Sequence, residues 1–218
     1  MTDVTEQDAA LKNAQTQIQA GNFAAASDIA RAVLATQPAH KNALYIAAVC
    51  ARYEGRHADA SARLAELMTV APDYGRAHQE EGHLKRALGD TDGALRAYER
   101  ATRFNPALIA SWTRQAELQA IAGNQQAAAN ARAQSERMKA LPRELLAVTN
   151  HVHEGRIFRG EEIARAFLRQ HPTHVEAMRL LADIGTRLSV HEDADFLLES
   201  AIELEPDNIQ LRLDYIQV

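Results

Sequence analysis

GRAHQEEGHLKRALGDTDGALRAYERATRFNPAL, residues 75–108, decides the fold. It divides into two helical stretches, separated at Gly89-Asp90 and closed by Asn105-Pro106. Glycine ends a helix by turning left-handed, and proline stops the next one because it cannot continue the hydrogen-bond ladder. The same marks recur along the chain at one fixed spacing. The turn glycine falls at Gly21, Gly55, Gly89 and Gly123, then at Gly155 after a slightly shorter step, and Ser189 holds the slot one full period later. The stop falls at Pro38, Pro72, Pro106, Pro172 and Pro206. Two independent marks on one period describe a tandem array of helix pairs.

The residues between the marks keep the same register. Counting from Gly75, slots 8, 20 and 27 hold the small residues Gly82, Ala94 and Ala101, slot 24 holds Tyr98, and slot 4 holds His78. The next unit supplies Trp112, Ala116 and Ala128, and the unit from Val175 supplies Met178, Ala182, Ala194, Leu198, Ala201 and Pro206. Small residues let two helices approach, and one large residue fills the space beside them. This pattern resembles that of tetratricopeptide repeat proteins over nearly the whole chain. The resemblance implies an all-α fold, an α-solenoid of about six helix-turn-helix units plus a partial seventh, wound as a right-handed superhelix. The units are expected at about 7–40, 41–74, 75–108, 109–140, 141–174, 175–208 and 209–218, in one domain spanning 1–218.

The spacing places helix pairs at about 6–20 and 23–36, 41–54 and 57–70, 75–88 and 91–104, and 109–122 and 125–139. Two more are expected at 142–154 and 157–170 and at 175–188 and 191–204, with a final helix from Ile209. Residues 1–5 are expected to be disordered. The stretch from Pro106 to Pro172 falls two positions short of two full periods. The helix in that gap places Arg132 and Ser135 at large apolar slots and Gln125 after the turn, so it is expected to bury little. Pro142 reads as the first residue of the following helix.

Composition narrows the function classes. The single Cys50 excludes an internal disulfide and fits a reducing compartment. The polar start Met1–Asn13 is unlike a secretion signal, and no stretch is apolar enough to span a membrane, so a cytoplasmic location and no membrane partner are expected. The net charge of −5 is unevenly placed: residues 175–218 carry ten acids and three bases. That balance argues against nucleic acid as a partner.

No Gly-rich phosphate loop and no nucleophile elbow occurs, so no cofactor, no catalytic residue and no enzymatic activity are expected. His151 and His153 fall on different sides of a helix, and His171 and His174 flank a turn, so no metal is expected. Asp90, Asp92, Gly93 and Glu99 partly imitate a calcium loop, but Leu88 stands at its first ligand position.

The repeat resemblance implies a concave groove lined by slots 2, 5, 9 and 12 of each first helix. In the second and third units these include Asn42, Tyr45, Arg52, Arg76, Gln79, His83 and Arg86. Three arginines in adjacent units are suited to an anion, so the expected partner is a protein or peptide carrying an anionic group. The competing reading is a solvated face whose arginines pair with Glu80, Glu81 or Glu117. The apolar residues Ile209, Leu211, Leu213, Tyr215, Ile216 and Val218 point to self-association through 209–218.

A narrower likeness begins near Leu141. It is carried by the stretch His171 to Ile184, by Leu197-Leu198-Glu199-Ser200-Ala201, and by Asp214-Tyr215-Ile216-Gln217-Val218. These residues are similar to the repeat arm of bacterial tetratricopeptide–sulfotransferase proteins. That resemblance implies an alternative role as the partner-binding arm of an enzyme whose catalytic domain lies outside this chain.

Overall fold

The computed structural model describes the backbone of residues 2–216 and the side chains of residues 6–216. The described residues form thirteen α-helices and no strand. They are α1 (Thr2–Gln19), α2 (Phe23–Thr36), α3 (Lys41–Tyr53), α4 (His57–Val70), α5 (Gly75–Ala87), α6 (Thr91–Phe104) and α7 (Ile109–Ile121). Then follow α8 (Gln125–Ala140), α9 (Arg143–His153), α10 (Ile157–Gln170), α11 (Val175–Arg187), α12 (His191–Leu204) and α13 (Ile209–Ile216).

The turn between paired helices is one motif used six times. At the end of α5, Asp90 N–H reaches back to the Lys85 carbonyl at 2.9 Å and Gly89 N–H to the Arg86 carbonyl at 3.1 Å. These two bonds satisfy carbonyls left over at the helix end, and they require a left-handed residue between them. Gly89 supplies it at φ 79°. The same pair of bonds recurs at Gly21, Gly55, Gly123, Gly155 and Ser189. Ser189 holds φ 60° and is the one non-glycine with positive φ among the described residues. Asp90 then starts the next helix, its carboxylate accepting from Gly93 N–H at 2.8 Å.

Three expectations are corrected. Helix α1 begins at Thr2, within the stretch expected to be disordered, because no glycine or proline interrupts residues 2–20 and the helix propagates backward. Pro142 is the N-cap of α9 rather than its first residue, with φ −49° and ψ 143° and its carbonyl accepting from Leu146 N–H. Arg132 is exposed rather than in a core slot. The inward face of α8 instead carries Ala128, Ala131, Ser135 and Met138 at helical spacing.

Contacts divide the chain into two compact units, one through Phe104 together with Ala110–Arg132, the other Asn105–Ile109 with Ala133 onward. In the first unit, Leu11, Val33, Ile46 and Cys50 form one cluster and Leu44, Leu64, Leu67, Tyr74 and Leu84 the next. Burial pushes the Cys50 thiol up to about 11, which leaves it unreactive. Tyr98 is wholly buried against Leu118. A Cβ on Gly82 would stand 2.6 Å from the Tyr98 ring, so the small residue at slot 8 is required by the large one at slot 24. In the second unit, Leu145, Val148, Phe167, Leu181 and Ile184 make one cluster, and Met178, Leu198 and Leu211 another. On α13, Ile209, Leu213 and Ile216 are exposed while Leu211 is buried; Val218 lies outside the described residues.

Candidate functional site

The first helices α3, α5 and α7 of the first unit carry the residues expected to line a groove. At the C-terminal ends of α3 and α5 these residues are tied together. The Arg52 guanidinium bonds the Glu80 carboxylate, and its plane lies 4.2 Å over the Tyr53 ring. Tyr53 in turn stacks on Phe23 at 4.3 Å. Glu80 is buried, and burial pushes its carboxyl up against the opposing pull of Arg52. Arg52 is thus the half-buried partner of a buried carboxylate.

His83 sits beside that pair, half-buried on α5. Its Nδ1 lies 2.8 Å from the Tyr98 hydroxyl, and its Nε2 lies 3.5 Å from Gln79 Nε2. Gln79 Oε1 accepts from the Ser111 hydroxyl at 3.2 Å. The chain Ser111–Gln79–His83–Tyr98 is complete in either direction once the Gln79 amide and the imidazole tautomer turn together. Burial, and then the charges of Arg52, Arg86 and Arg114, depress the His83 imidazole to about 4. Burial also raises the Tyr98 hydroxyl to about 12. Near neutrality the chain therefore holds a neutral imidazole and an intact phenol beneath three cations.

Those cations differ in their engagements. Arg52 is held by Glu80, and Arg114 bonds Glu117 at 2.7 Å at the surface. Arg86 is exposed, and its guanidinium makes no hydrogen bond or ion pair among the described residues. Its chain neighbour Lys85 pairs with Glu81 and Asp90 instead.

The remaining expected groove residues stand nearer the N-terminal ends. Tyr45 turns its ring edge-on at 5.8 Å to Tyr74, the N-cap of α5, joining α3 to the start of α5. Asn42 and Arg76 are half-buried. His78 fills its aromatic slot as a packing residue, stacked on Phe104 at 5.2 Å with Nε2 donating to the Pro72 carbonyl at 2.8 Å. Four members of the cluster were not among the expected groove residues: Glu80, Tyr98, Ser111 and Arg114. Glu80 and Arg114 share slot 6 of successive repeats, and charge at that repeated slot was the available signal.

Residues 11–77 match the family model described as tetratricopeptide repeat. Those residues are tetratricopeptide repeats. Solved structures share the architecture. PilF of Pseudomonas aeruginosa is similar at a TM-score of 0.58 and 14% identity, over 100% of this chain and 98% of that one. MamA is similar at 0.50 and 14%, over 90% and 96%. A chain of the Naa15/Naa10 complex bound to HypK is similar at 0.57 and 14%, over 97% of this chain and 38% of that one. At such identities these likenesses show the fold alone. No curated protein matches the sequence. The family match lies outside residues 141–218, the stretch that resembles the sulfotransferase-linked arm.

Among the described residues, no cluster of His, Cys, Asp and Glu could hold a metal ion, and no helix is long and apolar enough to cross a membrane. The tetratricopeptide fold is one suited to binding proteins and peptides.

Proposed function

We infer that this chain is a non-catalytic scaffold that captures a segment of another protein on the α3–α5–α7 face and receives an anionic group at Arg86. The observation that carries this reading is the guanidinium of Arg86. It has no partner among the described residues, yet its charge adds to those of Arg52 and Arg114 at His83. An arginine presents a planar fork to a carboxylate or phosphate. The neutral His83 and Gln79 beside it offer hydrogen-bonding groups that cost no ion-pair desolvation. Arg52 and Arg114 contribute field, because their own forks are engaged by Glu80 and Glu117. The competing solvated-face reading has Arg86 held by water alone, and binding of an acidic peptide separates the two.

A fluorescent oligoglutamate peptide and an oligolysine control, followed by anisotropy at low and moderate salt, test the reading. The expected result is preference for the acidic peptide and roughly tenfold weaker binding by Arg86→Ala, with unchanged folding. Equal binding by the parent and Arg86→Ala would contradict it.

A further inference from the structure

We propose that the trough between α10 and α12, in the second unit, docks a segment of a partner protein that offers one large apolar side chain flanked by lysine or arginine. The trough has a volume of about 220 Å³. Its floor and walls are Leu181, Ile184, Leu188, Val190 and Leu197, with Phe196 at the edge. Phe196 is 69% exposed and Val190 45%, so an aromatic ring and a branched side chain border an apolar hollow. Phe158, 75% exposed, lies one turn before Glu161 on the same face of α10 and extends the apolar border.

The repeat itself supplies the comparison. The counterpart trough in the first unit lies between α2 and α4. There Ala47, Ala62 and Arg63 hold the repeat slots that Leu181, Phe196 and Leu197 hold here. Arg63 and Arg31 line that counterpart, paired with Glu66 and Asp28 respectively. The same position in one fold is therefore lined by polar side chains in the first unit and by apolar ones in the second. Leu181 and Leu197 also pack in the core of the second unit, whereas the exposed ring of Phe196 is not used by repeat packing and is left to a partner.

The rim says what kind of partner. Glu161 and Asp193 line the trough, and elsewhere α12 carries Glu192, Asp195, Glu199 and Glu203 and no lysine or arginine. The one cation at the trough, Arg165, bonds Glu161 at 2.9 Å and stands 4.0 Å from Asp193. An apolar anchor with basic neighbours matches this arrangement, and an acidic segment is repelled. This face is separate from the Arg86 groove, and its partner has the opposite charge.

The test is methyl-resolved NMR of the full chain with a short amphipathic helical peptide of leucine and lysine, and with the same pattern in leucine and glutamate. The leucine–lysine peptide should move the methyl signals of Leu181, Ile184, Leu188 and Leu197, and the leucine–glutamate peptide should leave them in place. Phe196→Ser and Asp193→Lys should each weaken binding roughly tenfold. Asp59→Lys, the same charge change at the counterpart position, and Arg86→Ala should not. Because Phe196 and Asp193 are exposed, both variants should keep the parent's methyl spectrum elsewhere. Equal response to the two peptides, parent-like binding by both trough variants, or shifts centred elsewhere would overturn the proposal. So would sedimentation in which Phe196→Ser turns a dimer into a monomer, since the occupant would then be a second copy.

Discussion

The Tyr98 hydroxyl lies 2.8 Å from Nδ1 of His83, joining the two helices of one repeat through a half-buried polar contact. Tyr98 is the large residue that the repeat requires for packing. Here its polar tip also holds the imidazole that faces the groove arginines. Packing and site chemistry share one side chain.

That contact gives a pH dependence with a defined sign. The His83 imidazole is depressed from its ordinary 6.5 to about 4, by burial first and then by Arg52, Arg86 and Arg114. Between those values the unfolded chain binds a proton that the folded chain refuses, so stability falls as pH drops from 6.5 towards 4 and is full above 6.5. The loss across that window amounts to about 3 kcal/mol. Glu80, whose carboxyl is raised by burial, works in the opposite direction, so the readout is a difference. Urea denaturation at neutral and mildly acidic pH should show a smaller pH effect for His83→Gln than for the parent.

Arg52 and Arg86 should behave differently on removal. Arg52→Ala leaves the Glu80 carboxylate buried without its cation and should destabilise by about 3–5 kcal/mol. Arg86→Ala removes an exposed side chain and should stay within about 0.5 kcal/mol of the parent. Thermal or urea unfolding of the two variants checks both values.

Gly82→Ala should destabilise by about 1–3 kcal/mol, because its methyl would stand 2.6 Å from the Tyr98 ring, in a site with no room to relax. The displaced ring would also draw the hydroxyl from His83, so the His83 imidazole signal should shift in the same variant.

Ser189→Gly should stabilise by about 1 kcal/mol, because serine at φ 60° carries a steric cost that glycine does not. The urea midpoint should rise with the slope unchanged.

The turn slots were legible because backbone geometry left few choices. A left-handed residue six times at one register announces itself as glycine, and even Ser189 was recoverable from the period. The helix bounds followed from those marks. Pairing of a groove arginine with Glu80 was one of the two readings the sequence left open, but that Arg52 would be the one to pair was not legible. Its partner Glu80 comes from the next repeat, at a slot not assigned to the groove, and only the offset of α5 against α3 brings them together. Arg132 was assigned inward from the slot that Tyr98 holds on α6. The inward face of α8 runs through Ala128, Ala131, Ser135 and Met138, the first three at the slots of Ala94, Ala97 and Ala101, and the slot of Tyr98 is left at the surface. That face offers mostly small side chains, so hydrogen exchange over residues 125–140 should be faster than over α5 and α6.

The central claim is that an anionic group of a partner sits at Arg86 beside His83. Titrating the His83 imidazole by NMR, with and without the oligoglutamate peptide, tests it most directly. Part of the depression to about 4 comes from the charges of Arg52, Arg86 and Arg114. A carboxylate placed among them offsets that field, so the bound chain should titrate at higher pH than the free chain. An imidazole that titrates at the same pH with saturating peptide would contradict the account.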